Sequence, residues 1–178
     1  MENDSPLQED RPLKVLLVED SSADARLIEI MLKQSHADVE LVHTQTLRQA
    51  LEALSDQQFD CAMVDLGLPD GQGLENIQRI HSMEPALPVA VLTGLSDEKT
   101  AEGAIKQGAL KYIVKGSYND GNQLLDLIKD TVALSWFEGQ NPHKSSLSRN
   151  VSPDDALCID STGVITHWGQ SAKRVYQY

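Results

Sequence analysis

The chain has 178 residues, of which 40% are hydrophobic and 24% charged, a composition that suits one soluble domain with an appendage. Its net charge of −12, without a run of Lys and Arg, argues against direct contact with nucleic acid, because such binding needs clustered basic residues. The two cysteines lack paired spacing, residues 1–12 do not form a secretion signal, and no run approaches the roughly 20 apolar residues of a membrane span. We therefore expect a cytoplasmic protein with no direct nucleic-acid or membrane partner.

Short apolar runs alternate with amphipathic stretches along the first 137 residues. The predicted strands are 13–18, 39–43, 61–64, 89–92 and 112–114. The predicted helices are 25–34, 47–54, 74–81, 97–107 and 124–136, with Thr46 as an N-cap of the second and Gly108 as a C-cap of the fourth. Continuous apolar strands are buried on both faces, so the pattern predicts a doubly wound α/β domain with a five-stranded parallel sheet.

Polar or charged residues follow four of the five predicted strands. In chain order these residues are Glu19, Asp20, Asp65, Thr93 and Lys115, and Gly94 follows Thr93. Binding sites of doubly wound sheets form beyond the carboxyl ends of the strands, so we expect these side chains to face one site. The Pro and Gly residues after Asp65 predict a tight turn that can aim the carbonyl of Gly67 at the same site.

The chemistry of this set predicts phosphoryl transfer. Two carboxylates 4 Å apart repel each other by about 4 kcal/mol at an effective dielectric near 20, and a cation removes that repulsion. Oxygen-only ligands suit Mg²⁺. An Asp carboxylate can form an aspartyl phosphate, while Mg²⁺ and a Lys offset the charge on the transferring oxygens and a Thr hydroxyl donates to one of them.

Each of these residues has a simpler interpretation when it is considered alone. An acidic residue at a strand end is most often a turn residue or a helix N-cap. Co-occurrence at four strand ends favours the functional interpretation of the set. Asp24 and Asp70 are interpreted instead as a first-turn helix residue and a turn residue, and Cys61 as a small buried hydrophobe.

Residues 12–137 resemble a response-regulator receiver domain of two-component signalling. The motifs that carry the resemblance are VLLVED at 15–20, MVDLGLPDG at 63–71 with Gly73, VLTG at 91–94 and GALKYIVK at 108–115. The resemblance implies a flavodoxin-like sheet with strand order 2-1-3-4-5. It also implies that a histidine kinase or phosphotransfer protein delivers a phosphoryl group to Asp65.

The resemblance also implies a role for each matching residue. The Mg²⁺ ligands are Glu19, Asp20, Asp65 and the carbonyl of Gly67. Thr93 and Lys115 hold the phosphoryl group, and Tyr112 is a switch aromatic that turns inward when Thr93 moves. A half-buried aromatic on an edge strand is the alternative interpretation of Tyr112.

Gly116 departs from the family pattern, which usually has a proline after the conserved lysine, often in a cis peptide bond. A cis bond without proline costs about 3 kcal/mol, so we expect a trans bond, with the conformational freedom of glycine absorbing the turn. We expect glycine at this position to affect the shape of the loop and any partner docking that depends on that shape. We do not expect it to remove the phosphoryl-transfer chemistry.

The tail differs in composition from the domain before it. Residues 138–152 are rich in Asn, Ser, Pro and Gly and predict a linker. Residues 153–178 predict two short strands, a hairpin turn and a helix start, and they resemble the opening of a PAS sensor domain. Because two strands alone are marginally stable, we expect a longer parent protein. A short independent hairpin that packs on the receiver or on a partner chain is the alternative.

The sequence is compatible with three functions to different degrees. The leading hypothesis is a phosphorylation-gated switch that assists only its own phosphorylation and dephosphorylation and forms a homodimer through residues 96–118. The second is a scaffold that dimerises without phosphorylation, which the intact acidic set disfavours. The third is a hydrolase or nucleotide-binding domain. The sequence disfavours it, because it contains no glycine-rich phosphate loop after the first strand and no Ser–His pair near a strand end.

Overall fold

The computed structural model describes residues 11–71, 73–94 and 98–140. Most of the expected linker and all of the PAS-like segment lie outside the described residues. The strands are β1 Leu13–Val18, β2 Val39–Thr44, β3 Cys61–Asp65, β4 Val89–Thr93 and β5 Lys111–Val114. The helices are α1 Ser22–Gln34, α2 Leu47–Asp56, α3 Glu75–Met83, α4 Glu98–Lys106 and α5 Gly121–Gln140.

The five strands form one parallel sheet with the order β2-β1-β3-β4-β5. Strand β1 pairs with both β2 and β3, so that Val18 lies between Thr44 and Val64. Strand β4 pairs with β3 on one side and β5 on the other. The chain reverses its direction of winding between β1 and β3, which is where binding sites of such sheets form. The flavodoxin-like fold and its strand order are confirmed.

Two apolar layers cover the sheet, because successive side chains of a strand point to opposite faces. Leu17 and Met63 pack with α1 and α5, whereas Leu16 and Val64 pack with α2, α3 and α4. These four side chains are fully buried. Cys61 is also buried, as expected, and burial raises the pKa of its thiol to about 12. The strand ends are therefore held between two packed layers.

Two helices start three residues before their predicted bounds, and α5 also ends four residues later than predicted. Helix α1 begins at Ser22 after Ser21, whose hydroxyl accepts the amide N–H of Asp24. Asp120 likewise accepts two amide N–H groups at the start of α5, those of Asn122 and Gln123. These first turns are polar, so apolar periodicity placed both helices three residues too late.

Within the described residues, no helix is both long enough and apolar enough to cross a membrane.

The start of α2 is tied to the loop that follows β3. The Asp70 carboxylate accepts the amide N–H groups of Leu47 and Arg48 at 2.8 and 2.9 Å. The Thr46 hydroxyl accepts the amide N–H of Gln49, as its predicted N-cap role requires. Burial acts to raise the pKa of Asp70, but the backbone hydrogen bonds together outweigh burial and lower this pKa. The structural interpretation of Asp70 is confirmed, and the loop after Asp65 is anchored to a helix.

A close approach between α1 and α5 depends on glycine. A Cβ atom at Gly121 would collide with the backbone carbonyl oxygen of Met31. Backbone atoms cannot rotate away as a side-chain end can, so only glycine lets the two helices cross at this separation.

Removal of the Asp70 cap should destabilise the fold. Asp70→Ala is expected to lower the free energy of unfolding by about 1 kcal/mol at neutral pH, the usual cost of a lost helix cap. Because the folded-state pKa of Asp70 is lowered, the stabilisation is present at neutral pH and is lost as the pH falls through that pKa, where the two proteins converge. Urea unfolding measures both effects, with Asp126→Ala on the exposed face of α5 as the control. Equal stability of Asp70→Ala and wild type would contradict the capping role.

Gly121→Ala should be destabilising although alanine favours helix by about 1 kcal/mol over glycine. The collision with Met31 forces α1 and α5 apart, and overpacking of this kind costs about 1–3 kcal/mol. Thermal and urea unfolding test this, with Asn122→Ala at the neighbouring exposed position reporting helix propensity without the collision. A variant as stable as Asn122→Ala would show that the two helices can separate at little cost.

Candidate functional site

The carboxyl edge of the sheet gathers acidic side chains from separate strands. Glu19 and Asp20 follow β1, and Asp65 ends the neighbouring strand β3. One carboxylate oxygen from each of the three lies within 4.8 Å of the others. Glu19 is fully buried, Asp65 is almost so, and Asp20 is exposed.

Lys115 supplies the positive charge at the same edge. Its Nζ lies 2.6 Å from Asp65 Oδ2 and 2.7 Å from Glu19 Oε2. It also lies 3.0 Å from Asp24 Oδ2, in the first turn of α1. The backbone of Lys115 is fixed as well, because its amide N–H donates to the carbonyl of Thr93 over 2.7 Å.

Local backbone geometry holds the acidic residues in position. The amide N–H of Glu19 extends the β1–β2 ladder by donating to the carbonyl of Thr44. The Glu19 carboxylate then accepts the amide N–H of Ser21, the residue that caps α1. At the next strand, Asp65 Oδ1 accepts the amide N–H of Gly67 at 2.9 Å. The turns that leave β1 and β3 therefore orient the carboxylates of their own strands.

The electrostatics of the site are unbalanced. Burial raises the pKa of Glu19, Lys115 acts to lower it, and the charge of Asp65 raises it further. Burial acts to lower the pKa of Lys115, but its contacts with the carboxylates of Asp65, Glu19 and Asp24 outweigh burial and raise this pKa. Lys115 therefore stays protonated, and the carboxylates around it carry more negative charge than one ammonium can neutralise. An all-oxygen donor set with excess negative charge and a solvent-exposed member fits a hard, partly hydrated cation such as Mg²⁺.

Asp24 is the site residue that the sequence interpretation missed. It does occupy the first turn of α1, as expected, but its carboxylate also contacts the Lys115 ammonium. The signal lies in the spacing, since Asp24 stands four residues after Asp20 and one turn into a helix that starts at the site. A single turn of helix returns its side chain to that edge.

The remaining predicted residues lie around this cluster. Thr93 ends β4 and is buried. Tyr112 lies on β5 and is fully buried among the apolar side chains of the α2, α3 and α4 layer, so the half-buried alternative for this aromatic does not hold. Gly116 has a φ of +85° and its peptide bonds are trans, as expected from glycine in place of proline.

Comparison with known protein sequences gives consistent matches. The family model of the response regulator receiver domain matches residues 15–129. The response regulator protein PilR of Pseudomonas aeruginosa is 34% identical over 102 residues, which cover 57% of this chain and 22% of PilR. The transcriptional regulatory protein ZraR of Escherichia coli K12 is 31% identical over 103 residues, which cover 58% of this chain and 23% of ZraR. The chain thus spans less than a quarter of each relative.

Solved structures show the same architecture. The signal receiver domain of an HD domain-containing protein from Pseudomonas fluorescens Pf-5 has a TM-score of 0.64 at 25% identity and covers 78% of this chain and 98% of that one. The beryllofluoride-activated NtrC4 receiver domain dimer has a TM-score of 0.61 at 27% identity, and the match covers 68% of this chain and 98% of the NtrC4 chain. A CheY-like receiver from Methanospirillum hungatei JF-1, at 24% identity and a TM-score of 0.62 with coverage of 71% and 98%, shares the fold.

Charge repulsion in the site should destabilise the ion-free protein. Asp20→Asn removes one negative charge, so its free energy of unfolding should exceed that of wild type by about 1 kcal/mol when divalent cations are chelated. Added Mg²⁺ should narrow or reverse the difference, because the ion favours the intact carboxylate set. Urea unfolding with EDTA or with MgCl₂ measures both, and Asp38→Asn, an exposed charge before β2, is the control. An Asp20→Asn variant that gains no stability in EDTA would show that the carboxylates do not repel one another appreciably.

Proposed function

This chain belongs to the response regulator receiver domain family, and from that membership we propose that Asp65 accepts a phosphoryl group and thereby switches the conformation of the domain. The observation that carries the proposal is the contact of the Lys115 ammonium with Asp65 Oδ2 at 2.6 Å, beside the carboxylates of Glu19 and Asp20. The family consists of signalling modules. In our proposal the domain assists only its own phosphorylation and dephosphorylation.

The reaction forms one bond and breaks one. A carboxylate oxygen of Asp65 attacks phosphorus, and the bond from phosphorus to the nitrogen of a phosphohistidine donor breaks, so that the imidazole leaves with its electron pair. Lys115 and the Thr93 hydroxyl hold the phosphoryl oxygens. Glu19, Asp20, Asp65 and the carbonyl of Gly67 would hold Mg²⁺. When bound, the ion supplies positive charge that offsets repulsion between the carboxylates and the incoming phosphoryl group.

The switch would run from Thr93 to Tyr112. The two residues lie on paired strands, with Tyr112 two positions before Val114, the register partner of Thr93. Tyr112 lies within the layer that contains α4. A contact between Thr93 and the phosphoryl group would change the packing of this layer, and the population would shift only by the difference in binding between the two arrangements.

Partners follow from the same role. A histidine kinase or phosphotransfer protein would supply the phosphoryl group. The phosphorylated domain would form a homodimer through residues 96–118. Residues 96 and 97 of this surface lie outside the described residues. The solved NtrC4 receiver is a dimer in its beryllofluoride-activated form, which supports dimerisation as a proposal. The domain division proposed is a receiver at 12–137, a linker at 138–152 and a PAS-like segment at 153–178 that leads to an output module.

Phosphorylation of Asp65 is the direct test. Incubation with Mg²⁺ and acetyl phosphate should add the mass of one phosphoryl group, and the addition should disappear in Asp65→Asn and when Mg²⁺ is chelated. Lys115→Met should slow the addition by at least about tenfold, since an interaction with the transferring oxygens is lost. Intact-protein mass spectrometry measures the product, with Asp126→Asn as a control that keeps wild-type behaviour.

A wild-type chain that gains no phosphoryl group under these conditions, while remaining folded, would overturn the proposal. A dimer that forms equally well before and after the incubation would instead favour the phosphorylation-independent scaffold. Analytical ultracentrifugation of the two samples separates these results.

A further inference from the structure

The Lys115 ammonium already donates hydrogen bonds to Asp65 and Asp24 and forms an ion pair with Glu19. An ammonium carries three N–H donors. Three carboxylate oxygens surround it at 2.6, 2.7 and 3.0 Å, those of Asp65, Glu19 and Asp24. Because two of its donors are used by Asp65 and Asp24, a phosphoryl oxygen that binds Lys115 competes with these carboxylates for the ammonium.

Exposure decides which contact is released at the lowest cost. The Glu19 side chain is 0% exposed and that of Asp65 12%, whereas the Asp24 side chain is 44% exposed. A carboxylate that is already half in water regains its hydration when it leaves Lys115, but a buried carboxylate does not. Asp24 also makes the longest of the three contacts.

Asp24 cannot move far after it is released. Its amide N–H donates to the hydroxyl of Ser21, the cap of α1, and neighbouring residues of the helix pack on the sheet. Because Asp24 and Asp65 both contact the same nitrogen, their oxygens are at most about 6 Å apart, a distance at which charges still interact strongly. The carboxylate therefore stays beside any group bound to Asp65.

We propose that Asp24 is a positioning residue that competes with the phosphoryl group for the Lys115 ammonium and thereby weakens binding of that group at Asp65. The inference rests on the proposed phosphorylation of Asp65. It assigns Asp24 an effect opposite to that of Lys115: the lysine stabilises the phosphorylated state, and Asp24 opposes it by its charge.

Beryllofluoride, a mimic of the phosphoryl group, provides an equilibrium test on the full chain with Mg²⁺ present. Asp24→Asn should bind it about three- to tenfold more tightly than wild type, because one competing charge is removed. Asp24→Glu, which keeps the charge, should remain close to wild type. Fluorine NMR or calorimetric titration gives the affinities, and Asp126→Asn is the control for a change in total charge.

Salt and donor charge separate electrostatic competition from a loss of structure. The gain in Asp24→Asn should shrink at about 0.5 M salt, where charges are screened over a few ångströms. Its phosphorylation rate should rise more with acetyl phosphate, a dianion, than with phosphoramidate, a monoanion. Damage to the first turn of α1 would weaken beryllofluoride binding in both Asp24→Asn and Asp24→Glu, and this weakening would not depend on salt. Asp24→Ala, checked for folding by circular dichroism, should behave as Asp24→Asn does.

Two failures are distinguishable. If wild type takes up the phosphoryl group on Asp65 but Asp24→Asn binds beryllofluoride no more tightly, the role of Asp24 is wrong and the proposed function stands. If wild type takes up neither beryllofluoride nor a phosphoryl group, the proposed function fails and this inference fails with it.

Discussion

The contact between one ammonium and several carboxylates at the carboxyl edge of the sheet is the interaction on which the site depends. Lys115 joins β5 and α1 to β1 and β3 through Asp24, Glu19 and Asp65. Glu19 is fully buried, and a buried charge that loses its partner costs about 3–5 kcal/mol. The balance is incomplete, because carboxylates outnumber ammonium groups in the site. The remaining negative charge favours a cation beside Asp65.

Packing on both faces of the sheet makes this arrangement possible. Charges of like sign would separate if their strand ends could move. Strands β1, β3 and β4 are held between α1 and α5 on one face and α2, α3 and α4 on the other. The loop after β3 is fixed in addition by Asp70, which caps α2. Stability in the core thus offsets repulsion at the edge, as is common for functional sites.

Lys115 contacts elements that belong to both layers. Through Asp24 it contacts α1, on the face shared with α5. Through the carbonyl of Thr93 its backbone is joined to β4, and Tyr112 on the next strand packs into the layer with α4. A change in the partners of Lys115 therefore bears on both faces of the sheet.

The sequence by itself determined the order of strands and helices along the chain and the strand ends at which the acidic and basic side chains stand. These features follow from local patterns: runs of apolar residues, and polar residues directly after them. The predicted starts of α1 and α5 were too late, because the helices begin at Ser22 and Gly121 with polar first turns that leave no apolar signal. Only the tertiary structure decided that Asp24 contacts Lys115, that Tyr112 is fully buried and that Gly121 abuts Met31. Each of these depends on the distance between segments far apart in the chain, which is set by how the layers pack.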